Sequence, residues 1–129
     1  MSTSKSTDTF QTKIAVISCV LMFLSVFIGA FGAHGLEGKI SEKAMATFKT
    51  GHLYHTIHAL ALLALSHFKI NLKKECILFL LSIILFSGNC YLYALFGQKT
   101  FAMLVPFGGI GFLLAWAMIL KSLYKAESL

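Results

Sequence analysis

The chain contains no arginine, and all eleven of its basic residues are lysines. Arginine's planar guanidinium is the preferred group for bidentate recognition of phosphate, so its absence argues against a nucleic-acid partner. Acidic residues are also scarce: five, beside one proline and one tryptophan, in 129 residues. Only 12% of the chain is charged while 57% is hydrophobic, with a mean hydropathy of +0.80. A domain this small with so little polar surface does not stay in solution. The three cysteines, Cys19, Cys76 and Cys90, have no paired spacing, which argues against a disulfide framework or a zinc motif and leaves them as small buried hydrophobes. No Ser/His/Asp set, nucleophile elbow, phosphate loop or carboxylate pair can be assembled, so the sequence reads as non-enzymatic.

What is present is hydrocarbon. Residues 14–36, 50–68, 76–98 and 100–120 carry no acid or base, and a helix needs about 20 residues to cross the hydrocarbon. The expected architecture is an all-α membrane protein, a four-helix antiparallel bundle with spans at about 14–34, 48–68, 76–97 and 101–121. Short polar connections force antiparallel neighbours. Residues 1–12, rich in Ser and Thr, read as a disordered arm, residues 13–124 as one transmembrane domain, and residues 125–129 as a short tail. The first apolar run has basic flanks and small residues behind it, as a signal peptide does, but it is long enough to span and reads as retained. Ser41 followed by Glu42 is an N-cap signal for the second helix. Pro106 falls inside the last span, which should therefore be kinked or shortened there.

Lysine placement suggests a topology. The side shared by the amino terminus, the middle linker and the carboxyl tail holds Lys5, Lys13, Lys69, Lys73, Lys74, Lys121 and Lys125; the other holds Lys39, Lys43, Lys49 and Lys99. This excess predicts both termini in the cytoplasm, in a bacterial inner membrane.

Two residue classes stand out within the spans. Glycines at Gly29, Gly32, Gly35, Gly88, Gly108, Gly109 and Gly111 offer close helix–helix approach, with Ser25, Gly29 and Ala33 at small-xxx-small spacing. Polar rings form the second class. His52, His55 and His58 descend about 9 Å along one helix and fan over about 120°. With His34, Tyr54 and Asn89 they suggest a candidate polar cluster in the outer half of the bundle: His34, Tyr54, His55, His58 and Asn89. His34, His52, His55 and His58 are weak metal candidates, because the fan points the rings apart and no cysteine or carboxylate is near. The composition calls for no cofactor. Three uses remain open: helix-to-helix bonding in a structural or regulatory membrane component, a transporter or proton conduit using the His/Tyr cluster, and metal or haem binding.

Four blocks carry a family resemblance: "GAFGAHGL" at 29–36, "YHTIHALALL" at 54–63, "FSGNCYLYALFG" at 86–97 and "PFGGIGFLLAW" at 106–116. The chain resembles, over about residues 14–120, the small four-pass membrane proteins of domain-of-unknown-function family 423, related to transmembrane protein 256. The pattern falls on Gly29, Gly32, Ala33, His34, Gly35, Tyr54, His58, Ser87, Gly88, Tyr91, Pro106, Gly108, Gly109 and Trp116. His52 and His67 lie outside it, which favours His34 and His58. The resemblance implies the fold and membrane insertion, and it implies no biochemical activity. Partners expected on these grounds are the lipid bilayer and either a second copy or another membrane protein.

Overall fold

The computed structural model describes residues 2–128 and the side chains of residues 5–128. Every regular element among them is helical: α1 (Ser2–Phe31), a π-helical turn (Gly32–Leu36), α2 (Glu42–Leu65), α3 (Lys73–Ile83), a second π turn (Ile84–Gly88), α4 (Asn89–Phe96) and α5 (Lys99–Glu127). The second π turn joins α3 to α4 without a break, so four rods build the bundle. α1 packs on α2, α2 on the α3–α4 rod, and that rod on α5.

The pattern of burial explains this order. In α2 seven of the eight buried positions, Ala44, Phe48, Gly51, His55, His58, Leu62 and Leu65, recur at alternating intervals of four and three, and the eighth, Ala59, adjoins His58. That is the stripe a helix presents when its neighbours run nearly parallel to it. α5 repeats the pattern with Gly108, Phe112, Ala115 and Ile119. α1 contributes Ile14, Ser18, Ser25 and Gly32, a seam mostly of small residues. Ala33, expected on that seam, is exposed. One core cluster runs from Ile14 through Leu62, Phe79 and Phe86 to Phe112 and Ile119. A smaller one gathers Leu36, Phe48 and Ala94 at the far end.

Three helical stretches, Lys5–Leu36, Lys73–Phe96 and Lys99–Glu127, are long and apolar enough to cross a membrane. α2 is missing from this set although its 24 residues would extend about 36 Å. Its length suffices, but its His, Thr and Lys side chains lower its hydropathy.

Two expectations are corrected. The polar segment 1–12, read as disordered, continues α1 from Ser2, with Met1 outside the described residues. Thr9 and Thr12 donate to the carbonyls of Lys5 and Asp8, Phe10 packs against the core, and the Gln11 amide donates to the Phe68 carbonyl. These contacts offset the ordering entropy that composition alone leaves unopposed. Pro106 does not shorten the last helix, which continues on both sides of it; only the helix bond to the Ala102 carbonyl is lost, for want of an N–H.

Helix ends follow local chemistry. Ser41 Oγ accepts from the Ala44 N–H at 3.1 Å, and Ser41→Ala is expected to lower stability by about 1 kcal/mol, read as a lower midpoint of thermal unfolding in detergent. At the other end of α2, the Ser66 hydroxyl and His67 Nδ1 both donate to the Leu63 carbonyl. Gly97 ends α4 at φ 67°, a left-handed conformation that glycine adopts without strain, and donates its N–H to the Tyr93 carbonyl at 2.8 Å. Only Gln98 then separates it from α5, which fixes α4 and α5 as antiparallel neighbours.

Candidate functional site

The three histidines of α2 each face a different neighbour. His52 turns to α1, where its Nε2 lies 2.9 Å from the Ser25 carbonyl and 3.2 Å from Ser25 Oγ. A carbonyl only accepts, so this nitrogen carries the proton. Thr56 donates to the His52 carbonyl at 2.9 Å, which leaves the Ser25 hydroxyl to donate to Thr56 Oγ1 at 2.5 Å. Two polar residues of α2 are thereby closed onto one serine of α1.

His55, buried at 4% exposure, faces Tyr91 of α4, with 3.0 Å between Nδ1 and the phenol oxygen. Its Nε2 is buried and makes no hydrogen bond with a described residue. Nδ1 accepting from the Tyr91 hydroxyl leaves the ring proton on Nε2.

His58 is the most completely held. Nδ1 lies 2.8 Å from the Tyr54 carbonyl, and Nε2 lies 3.1 Å from Trp116 Nε1 of α5. Indole N–H is a donor only, so Nε2 accepts and Nδ1–H donates. This fixes a neutral imidazole in one tautomer with its lone pair engaged. Around it stand aromatic rings: Phe112 stacked at 3.7 Å between centroids, Phe79 edge-on at 5.2 Å and Tyr54 stacked at 5.8 Å. A metal at Nε2 would first have to displace the only tryptophan of the chain.

The remaining expected members do not join. His34 is exposed, and its side chain forms no hydrogen bond with a described residue, because the first π turn buries Gly32 and Leu36 and leaves Ala33 and His34 outside. Asn89 is buried but donates to the Leu85 carbonyl of its own helix at 2.6 Å. Tyr54 enters through its ring and its backbone carbonyl, not through its hydroxyl. Among the described residues no three His, Cys, Asp or Glu side chains converge on a point where a metal ion would sit, so the four weak candidates do not form a ligand set.

The glycines divide likewise. A Cβ on Gly108 would overlap the backbone of Phe86, and one on Gly111 would overlap Ser82 Oγ. Gly29 and Gly32 admit the rings of His52 and Phe48. Gly35 meets only the Phe31 ring of its own helix, Gly109 has ordinary room, and Gly88 faces open space. Gly51, which the sequence did not single out, packs against Cys90 and accepts at its carbonyl from Ser87 Oγ, 2.7 Å away. The widened π turn at 84–88 thus sits where two other helices press on the α3–α4 rod, α2 at Gly51 and α5 at Gly108; π turns recur where packing demands an irregularity. Three further residues have partners that the sequence reading did not assign. Trp116 is the partner of His58. Tyr91 belongs to His55. Glu75, just outside the expected third span, is buried in the first turn of α3 and accepts from Ser122 Oγ of α5 at 2.7 Å.

Comparison with known proteins agrees with this helical, apolar architecture. Residues 28–109 match the family model described as "Protein of unknown function (DUF423)". The UPF0382 membrane protein YwdK of Bacillus subtilis is 34% identical over 116 residues, 85% of this chain and 94% of its own. A UPF0382 membrane protein of Haemophilus influenzae is 33% identical over 123 residues, 92% and 99%. The UPF0382 inner membrane protein YgdD of Escherichia coli is 34% identical over 119 residues, 88% of each. No solved structure matches the chain. A family model covering more than half of the residues, with relatives aligned almost end to end, identifies this chain as a helical membrane protein of the DUF423 family.

Proposed function

We propose that the protein is a structural or regulatory component of a bacterial inner membrane that associates through its helix faces and has no catalytic activity of its own. In this reading α2 is the fourth span and both termini are cytoplasmic. The observation that carries it is how the polar groups of α2 are used: His52, His55 and His58 bind three different neighbours inside the bundle. No convergent set is left to act on a substrate. Burying α2 behind hydrogen-bonded partners is how a helix of modest hydropathy is tolerated in a bilayer. The excess of lysine on the side of both termini supports the orientation, as does the inner-membrane name of the Escherichia coli relative.

α1 supplies the face for association. Val16, Val20, Phe23 and Phe27 project outward with 53–73% of their surface exposed, and Cys19, the exposed cysteine of the three, lies beside them. Oxidative crosslinking in native membranes is expected to give a discrete dimer that disappears in Cys19→Ser and persists in His58→Phe. A strictly monomeric protein in both crosslinking and native mass measurements would refute association. Reporter fusions at each terminus test the orientation, both being expected to read as cytoplasmic.

A further inference from the structure

At the end of α1 remote from Ser2, the first π turn and the start of α2 enclose a cavity of about 320 Å³, within the range of small-ligand sites. Its apolar wall is fixed. Phe48 is 4% exposed, its ring lies parallel to that of His52 at 6.5 Å, and both rings press on α1 where Gly29 and Gly32 make room. Its rim is charged: Glu37 and Lys49 both line it. The same two residues line an adjoining cavity of about 490 Å³ that opens past Met45 toward Glu42. Both are exposed, and neither forms an ion pair with the other or with any other described residue. The apolar stretch Lys5–Leu36 ends at this level, so the cavity sits where hydrocarbon gives way to headgroups.

We propose that this cavity holds the headgroup of an ethanolamine phospholipid, its phosphate toward Lys49 and its primary ammonium toward Glu37. One acid and one base left unpaired across a single opening match a zwitterion. An anionic glycerol headgroup would satisfy Lys49 and be repelled by Glu37. A choline headgroup has the right charges, but its quaternary nitrogen has no N–H to donate to a carboxylate. The apolar wall of Phe48 and Gly32 suits the glycerol end of the lipid. The inference rests on the membrane placement of α1 and not on self-association, so a monomer that still selects ethanolamine lipid would refute association and leave this site standing.

The test is native mass spectrometry of the full-length protein in detergent with dioleoyl phosphatidylethanolamine, phosphatidylcholine or phosphatidylglycerol. Ethanolamine lipid is expected to bind about fivefold better than either competitor, the effect of one exposed charge pair. Lys49→Gln should remove that binding, Glu37→Gln should abolish the preference over choline and glycerol lipids, and Lys43→Gln should change nothing. Lys49→Arg, which keeps the charge, should retain binding if Lys49→Gln fails to fold. Equal or stronger binding of the glycerol lipid, or a preference unchanged by Glu37→Gln, would overturn the proposal. No lipid selectivity at all would overturn it too.

Discussion

Adding one methyl group at Gly108 is expected to leave little or no folded protein in the membrane, while adding one at its neighbour Gly109 should be tolerated. The two positions are adjacent in sequence and opposite in surroundings. At Gly108 a Cβ would come within 2.4 Å of the nitrogen and 2.7 Å of the Cα of Phe86, backbone atoms held in the π turn between α3 and α4. Backbone cannot rotate aside as a side chain can, so α5 would have to move off the rod. Overpacking costs about 1–3 kcal/mol when side chains yield, and about 3 kcal/mol or more is expected here, enough to remove much of a marginal stability. At Gly109 the same atom would lie 3.7 Å from the Phe86 ring, an ordinary contact, and the better helix propensity of alanine offers up to about 1 kcal/mol in return. Membrane abundance and thermal unfolding of Gly108→Ala and Gly109→Ala read the contrast. If both variants melt together, the tight crossing of α5 over the π turn is wrong.

The second large effect belongs to His58 and Trp116. His58→Ala removes a ring stacked on Phe112 and enclosed by Phe79 and Tyr54, a deletion that in aromatic cores costs about 3–5 kcal/mol. His58→Phe is the sharper variant, because it keeps the ring and removes only the acceptor. The indole N–H, on a ring that is 43% exposed at the bundle surface, then has no protein partner, at a cost of about 1 kcal/mol. Trp116→Phe in the same background removes the donor as well, and the cycle should show a coupling of about 1 kcal/mol, within the range of polar pairs between membrane helices. Trp116 is the only tryptophan, so its indole proton gives a single resonance whose hydrogen exchange should be slow in the wild type and faster in His58→Phe. Additive effects with unchanged exchange would show that the two rings merely touch. The same bond bears on the conduit and metal readings: a nitrogen already accepting from indole is not free for a proton or a metal ion without breaking it.

The three histidines of α2 diverge for a geometric reason. His55 and His58 occupy the four–three burial stripe of α2, whereas His52 lies off it and meets α1 beside Gly29. Rings spaced by three residues diverge, and the divergence distributes the bonds among three helices. The sequence allowed the fan to be read, because it follows from 100° per residue. The identity of each partner was hidden, since Ser25, Tyr91 and Trp116 stand 27, 36 and 58 positions away. Ranking His34 beside His58 failed for a related reason: shared membership of a sequence pattern says nothing about which face of a π turn a ring leaves from.

Composition and periodicity alone determined that this is a helical membrane protein, where its connections fall and that Ser41 caps α2, while the four blocks at 29–36, 54–63, 86–97 and 106–116 carried the resemblance to its family. Those properties are local or additive: apolar run length, cap chemistry and the period of the burial stripe are all written along one chain. Only the tertiary structure decided that residues 2–12 are helical, that Pro106 leaves α5 unbroken, which glycines are obligatory, and that Trp116, Tyr91 and Glu75 find hydrogen-bond partners on other helices. Each of these depends on what a second helix places opposite a residue. The contacts that decide it, a 2.4 Å approach to backbone at Gly108 and one hydrogen bond at His58, exist only once the rods are packed.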